Sequence, residues 1–237
     1  MSYKKRVDGR KFDETRPVEA EVGVVKRADG SARFKIGQTE AWAAVYGPRE
    51  LVPRFMQNPQ KGILRVHYNM MPFSGHGNRV RPGGNRRSKE LGMVIRDSLL
   101  PVINLNDFQN AVVDVFIEFP QTDAGTRCAA VTCAAMALAD AGLLMSDMVS
   151  AIAVGRVDDK IVADLNYDEE AFECDAGVTD IPVAIIPSTG EVSLLQMDGI
   201  TTKKQLFEAL ELAKDVSKKL YEVQKSALKK KYKVSEA

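Results

Sequence analysis

The sequence predicts an α+β fold, and three observations carry that expectation. Short β-like runs stand ahead of helical patterns in both halves of the chain, which segregates strands from helices instead of alternating them one by one. Ala111 to Phe119 alternates as a strand. The segment from Arg127 to Gly142 is almost wholly apolar, and a helix apolar on every side belongs at the centre of a fold.

Taken in order, the first half opens with β-like runs at Ala20 to Val25 and Arg33 to Lys35. They are hinged at Ala28-Asp29-Gly30-Ser31, a turn signal that favours a hairpin, and Ala41 to Tyr46 continues the sheet. Residues 49 to 62 hold prolines, Arg54 and Lys61 without a clear period and read as a long exposed loop. Residues 74 to 87 are rich in Gly, Pro and Arg and lead to Ser88, a good N-cap, with Leu91, Val94, Ile95 and Leu99 behind it at helical spacing. The strand at 111 to 119 and the apolar helix complete this half.

The second half repeats the theme. Ser150 to Val154, a turn at Asp158-Asp159 and Ile161 to Leu165 form one hairpin; Ile181 to Ile186, a turn at Ser188-Thr189-Gly190 and Val192 to Gln196 form another. A final helix begins near Thr202 with Gln205 in capping-box register. It carries Leu206, Leu210, Val216 or Ala213, Leu220 and Val223 on one face and ends in Lys229-Lys230-Lys231, where cations suit the helix dipole. Val25-Lys26-Arg27-Ala28-Asp29 and Val154-Gly155-Arg156-Val157-Asp158 echo each other, both read as a strand entering a hairpin turn; five residues do not distinguish duplication from chance.

Composition narrows the function classes. Lys+Arg at 33 against Asp+Glu at 32 leaves a net charge of +1, so any basic site must be local. No apolar run reaches the ~20 residues that span a bilayer, and Met-Ser-Tyr-Lys-Lys-Arg has no apolar stretch behind its charges, so no membrane association and a cytoplasmic location are expected. The three cysteines lack metal-ligand spacing and read as reduced structural thiols; His67 and His76 stand alone and receive no role.

Three groups of residues could carry chemistry. At Gly125-Thr126-Arg127 a glycine allows close approach to the backbone where a helix starts, and the free amides, the Thr126 hydroxyl and the Arg127 guanidinium would suit an oxyanion; alone, the motif equally fits an ordinary capped helix. Arg79, Arg81, Arg86, Arg87 and Lys89 crowd a loop and the first turn of a helix, where cations oppose the dipole unless an anion joins them. An acidic stretch holds Asp164, Asp168, Glu169, Glu170, Glu173, Asp175 and Asp180. Clustered carboxylates raise one another's pKa, so one can act as a general acid, and Asp180 stands out because it precedes an apolar strand without evident structural need.

Together these pieces resemble the RNase PH family, from Arg6 to about Gln224. The blocks that carry the resemblance, in family order, are Arg6-Val7-Asp8-Gly9-Arg10, Arg16-Pro17, Lys26-Arg27-Ala28-Asp29-Gly30-Ser31, Asp123-Ala124-Gly125-Thr126-Arg127, Ala137-Leu138-Ala139-Asp140-Ala141-Gly142 and Leu195-Gln196-Met197-Asp198-Gly199. Val45-Tyr46-Gly47-Pro48-Arg49-Glu50 is similar to the archaeal exosome branch rather than to the bacterial tRNA-trimming enzyme. The resemblance implies an RNase PH-type fold of two similar strand-hairpin and helix halves packed together with central helices. An N-terminal arm (1–15) and a tail (233–237) would flank a single domain (16–232) whose halves cover about 16–145 and 146–232.

What the resemblance implies about activity is phosphorolysis: a 3′-to-5′ exoribonuclease, catalytic in an exosome ring, in which inorganic phosphate as co-substrate releases nucleoside diphosphates from single-stranded RNA. Phosphate would sit on Arg87, Gly125, Thr126 and Arg127; Arg86 would hold the RNA backbone, with Arg54 and Lys61 as further RNA contacts near a pore. Asp180 maps onto the general acid. Its companion in holding Mg²⁺ or Mn²⁺ falls on Glu170 if about four residues are inserted in the intervening turn, with Asp175 the alternative and Asp168 or Glu169 also open. The implied partners are an inactive RNase PH-like paralogue in a hexameric ring and RNA-binding cap subunits with S1 domains. Two other readings use the same fold: a ring subunit that binds RNA without activity, and a homohexameric tRNA 3′-trimming phosphorolase of the bacterial type.

Overall fold

A computed structural model describes residues 3–76, 79–81, 84–174 and 177–233. The first sheet has five strands in the order β1-β2-β3-β5-β4: β1 (Val18–Val22), β2 (Gly30–Ile36), β3 (Thr39–Glu50), β4 (Ile63–Met70) and β5 (Ala111–Gln121). All neighbours are antiparallel except β4 and β5, whose parallel pairing needs a crossover, supplied by α1 (Arg86–Leu99) and its flanking loops. The second sheet is antiparallel throughout, in the order β7-β6-β8-β9: β6 (Ser150–Val157), β7 (Lys160–Ala163), β8 (Val178–Ile186) and β9 (Glu191–Leu195). A one-turn helix, α3 (Tyr167–Glu170), lies between β7 and β8.

The expected central helix is α2 (Thr126–Asp140), which packs against β2 and β3 of one sheet and β6 and β8 of the other. It can do so because 13 of its 15 residues are buried and most are Ala, Cys or Thr, small enough to admit sheets on both sides. The fit extends to the backbone: a Cβ on Gly30 would lie 2.5 Å from the Ala137 carbonyl oxygen, so only glycine permits this strand to approach the end of α2. The long helix α4 (Lys203–Tyr232) covers the second sheet and reaches β1. Its capping box is the one expected, Thr202 with Gln205, and it buries Ala213, Val216 and Leu220, with Leu206, Leu210 and Val223 half-buried at the edge of that face.

Several boundaries differ from the sequence reading, each for a physical reason. Glycine at φ 75° ends the first strand at Gly23, so β1 stops at Val22, and Gly30 and Ser31 begin β2 instead of forming a turn. The tight hairpin lies at Gly37-Gln38, between β2 and β3. The two echoing pentapeptides are consequently not equivalent: Val25 to Asp29 is connector, whereas Val154 to Val157 is strand. β3 runs on to Glu50 and a 3₁₀ turn spans Arg54–Met56, so only part of 49–62 is loop. Ser88 does not cap α1; Asn85 does, accepting from the Ser88 amide (2.7 Å) while Ser88 Oγ accepts from the Asn85 amide (2.9 Å). The helix therefore starts at Arg86, and both arginines fall in its first turn. β4 and α3 had no counterpart in the sequence reading.

Candidate active site

A cleft of about 400 Å³ opens where α2 starts, and its walls include Arg87, Gly125, Thr126, Arg127, Glu170 and Asp180. Six residues singled out in the sequence thus line one cavity, although they come from α1, the cap and first turn of α2, α3 and β8.

The anion-binding wall is built from the backbone outward. Gly125 is the N-cap of α2 in the left-handed region (φ 71°) and offers no side-chain cap, so the first amides of the helix remain available to a ligand. The preceding turn is pinned. Thr39 Oγ1 donates to the Ala124 carbonyl (2.8 Å) and accepts from the Asp123 amide (3.1 Å), while Arg16 donates to Asp123 Oδ2 (2.8 Å) and to the Ala124 carbonyl (3.2 Å). Arg127 is the one cation of α2, and its Nη1 donates to Gln196 Oε1 (2.6 Å), which holds the guanidinium at the cleft. Arg87 enters from the first turn of α1, which contains no acidic residue to offset it.

The acidic wall faces these cations. Asp180 is the third residue of β8, not the residue ahead of the strand, and its backbone pairs with Asp198, amide to carbonyl in both directions (2.9 and 2.8 Å). That bridge needs Gly199 at φ 113°, because a Cβ there would meet the Val178 carbonyl oxygen at 2.5 Å. Asp180 Oδ1 is buried with no hydrogen-bond partner among the described residues. Burial lifts its pKa to about 6; Arg127 pulls down and Asp198 pushes up, and burial wins. Glu170, at the end of α3, is raised to about 7, by burial first and then by the charge of Asp180. Its side chain is exposed at the cleft mouth, where water moderates that lift.

Two carboxyl groups with pKa raised toward neutrality, opposite two arginines, suit proton donation and charge neutralisation. They also fit Mg²⁺. That cation takes oxygen ligands and keeps several waters, so one or two carboxylates suffice, and the partnerless Asp180 oxygen is the kind of donor it would use. Among the described residues no three His, Cys, Asp or Glu side chains form a cage that would hold a metal without such help.

Other residues from the sequence reading lie elsewhere. Arg86 is exposed beside the cleft, on α1. Arg54 is exposed in the 3₁₀ turn, 3.8 Å from Glu50, and Lys61 is exposed just before β4; neither lines the cleft. Asp168 is exposed on α3 and Glu169 is fully buried against Arg6; neither lines the cleft. Asp175 lies outside the described residues. Nothing local in the sequence singles out Asp123, Gln196 or Asp198; their contacts across the fold, to Arg16, Arg127 and Asp180, give them their places at the site.

Comparison with known proteins agrees with this architecture. The family described as 3′ exoribonuclease family, domain 1 (RNase PH) matches residues 14–143, and its domain 2 matches residues 147–216. The chain is 50% identical to exosome complex component Rrp41 of Thermococcus kodakarensis over 228 residues, covering 96% of this chain and 90% of that protein. Rrp41 of Methanopyrus kandleri is 46% identical, covering 96% of this chain and 93% of that protein. Among solved structures, rice (Oryza sativa) Rrp46 superposes with a TM-score of 0.81 at 23% identity, over 94% of this chain and all of that one. The Archaeoglobus fulgidus exosome with RNA bound to the active site gives 0.76 at 24%, over 92% of each chain. These last two likenesses speak to the fold.

Proposed function

Because the chain belongs to the RNase PH 3′ exoribonuclease family, matched across both of its domains, we propose that it is the catalytic ring subunit of an archaeal exosome and acts by phosphorolysis. The observation that carries this reading is the meeting of Arg87, the open N-terminus of α2 and Asp180 around one cleft. Inorganic phosphate would lie on the Thr126 and Arg127 end of α2, with Arg87 across from it. One of its oxygens attacks the phosphorus of the last phosphodiester, and the bond from phosphorus to the 3′ oxygen of the preceding nucleotide breaks. Asp180, whose burial raises the fraction of its carboxyl that carries a proton, gives that proton to the departing oxygen. The products are a nucleoside 5′-diphosphate and an RNA shortened by one residue with a free 3′ hydroxyl; no water is consumed. Positioning and charge stabilisation supply most of the rate, as in other phosphoryl transfers.

Mg²⁺, when bound, would neutralise charge on the reacting phosphates, held by Asp180 and Glu170. Arg86 would guide the RNA backbone, and Arg54 and Lys61 would contact single-stranded RNA farther along its path. In this reading three copies alternate with an inactive RNase PH-like paralogue in a hexamer capped by S1-domain subunits, in the cytoplasm. No helix among the described residues is long and apolar enough to cross a membrane.

The test is product analysis from a labelled RNA, using the chain assembled with its paralogue, with and without phosphate. Nucleoside diphosphates that appear only when phosphate is present are expected. Equal degradation in phosphate-free buffer, yielding monophosphates, would overturn the phosphorolytic reading.

A further inference from the structure

The N-terminal arm reaches the acidic wall of the cleft through a closed set of buried contacts. Arg6 Nε and Nη2 donate to the two carboxylate oxygens of Glu169 (2.7 Å each), and Tyr3 Oη donates to Glu169 Oε1 (2.6 Å). The remaining Arg6 donors go to the carbonyls of Lys11, Glu14, Ala163 and Asp164, so the arm, the end of β7 and α3 are tied to one guanidinium. Both charged side chains are fully shielded from water. The Tyr3 ring packs on Phe12 of the arm and on Phe172, two residues beyond α3.

Helix α3 has only four residues, too few to hold a helical turn by backbone hydrogen bonds alone. Its local support is a capping box in which the Glu169 carboxylate accepts from the Asn166 amide (3.1 Å) and Asn166 Oδ1 accepts from the Glu169 amide (2.9 Å). The same carboxylate therefore caps the turn and binds the arm. Consecutive helical side chains project about 100° apart. With Glu169 locked into the interior, Glu170 is turned outward into the cleft beside Asp180.

We infer that Tyr3 and Arg6 are positioning residues: by clamping Glu169 they set the placement of Glu170, and with it the affinity of the acidic wall for a divalent cation. This rests on the pairing of Glu170 with Asp180 proposed above. The anion-binding wall is carried by α1 and the start of α2. Helix α3 meets the turn ahead of α2 where the Tyr167 amide donates to Asp123 Oδ1 (3.0 Å), but Arg16 and Thr39 pin that turn independently, so the effect should fall on the metal side.

The experiment is calorimetric titration of the full-length chain with Mn²⁺ and, separately, with inorganic phosphate. The variants are Tyr3→Phe, which keeps the ring packing, and the neutral pair Arg6→Met with Glu169→Leu, which avoids a lone buried charge. Outer-shell partners of a metal ligand typically govern its affinity by 10–100-fold. We expect the Mn²⁺ dissociation constant to rise about 3-fold in Tyr3→Phe and about 10-fold in the paired variant, with phosphate affinity unchanged. Glu170→Gln alone should weaken Mn²⁺ at least as much, and adding Tyr3→Phe to it should change nothing further. Unchanged Mn²⁺ affinity in folded Tyr3→Phe and paired variants, with Glu170→Gln impaired, overturns the clamp alone. Equal loss of Mn²⁺ and phosphate affinity also overturns it, since that marks a general structural role. Wild-type Mn²⁺ affinity in Glu170→Gln instead removes the carboxylate pairing of the proposed function, and the clamp's route to the metal with it.

Discussion

Glu169 and Glu170 are adjacent in α3 and meet opposite surroundings. Glu169 is buried, and burial alone would raise its pKa, yet hydrogen bonds from Arg6 and Tyr3 and the charge of Arg6 outweigh it and hold the carboxyl below its ordinary value. Glu170 faces the cleft, where burial and the charge of Asp180 raise it to about 7. One carboxylate has all the partners it needs; the other is placed near a second carboxylate that itself lacks one. Charge that is completely satisfied builds the scaffold, and charge left unsatisfied remains available to a proton, a cation or a substrate. The same division separates Arg16, closed off by Asp164 and Asp123, from Arg87, whose helix turn offers no acid.

The largest test of this contrast is Asp180→Ala. Loss of a general acid should lower the rate of nucleoside diphosphate release by about 10²–10⁴-fold, while RNA binding, measured by filter retention, stays within about 3-fold. A rate within a factor of about ten of wild type would place the reactive proton elsewhere. Next comes Glu169→Gln, which keeps the shape but strands the Arg6 charge in the interior. Denaturant unfolding should show a loss of about 3–5 kcal/mol, and a loss under about 1 kcal/mol would mean that water reaches the pair.

The two sides of the contrast also carry opposite pH signatures. Asp180 has a folded pKa above its unfolded value, so between about pH 3.8 and pH 6 the folded state binds the extra proton, and stability falls as pH rises through that window. Without divalent cation, Asp180→Asn should therefore gain about 1–2 kcal/mol over wild type at pH 8, a gain that vanishes below pH 3.8. Glu169 runs the other way. Its folded pKa is depressed, so its contribution is complete above pH 4.5 and is lost as pH falls through the folded value. The acid-unfolding limb of wild type below pH 4.5 should be steeper than that of the Arg6→Met, Glu169→Leu pair, by about one proton or less; parallel limbs would show that Glu169 is not the group responsible.

Much of the fold was legible where the information is local. The capping box at Thr202 and Gln205 and the all-round apolarity of α2 each involve side chains within a few residues of one another, and both appear as read. Strand β4 was not legible. Its outward Arg65 and His67 interrupt the apolar pattern, and Arg65 is accommodated by Asp114 on β5, a partner 49 residues away. The start of α1 was misplaced because Ser88 is a good cap in isolation; whether it caps or reciprocates depends on Asn85.

At the site, residue types set the candidates. Gly125, Thr126 and Arg127 at a helix start, arginines against a helix dipole and a carboxylate at the head of an apolar strand are visible in the chain itself, because each is a conflict between a residue and its own neighbourhood. Tertiary structure decided which of them meet. It put Glu170 in the cleft and Glu169 in the interior, since α3 turns one carboxylate to Arg6 and the next to the cavity. It also brought in Gln196 and Asp198, whose significance lies in their contacts with Arg127 on α2 and Asp180 on β8. Proximity between residues far apart in sequence is set by how whole sheets and helices pack, and that packing is a collective property of apolar surfaces that no short stretch of sequence contains.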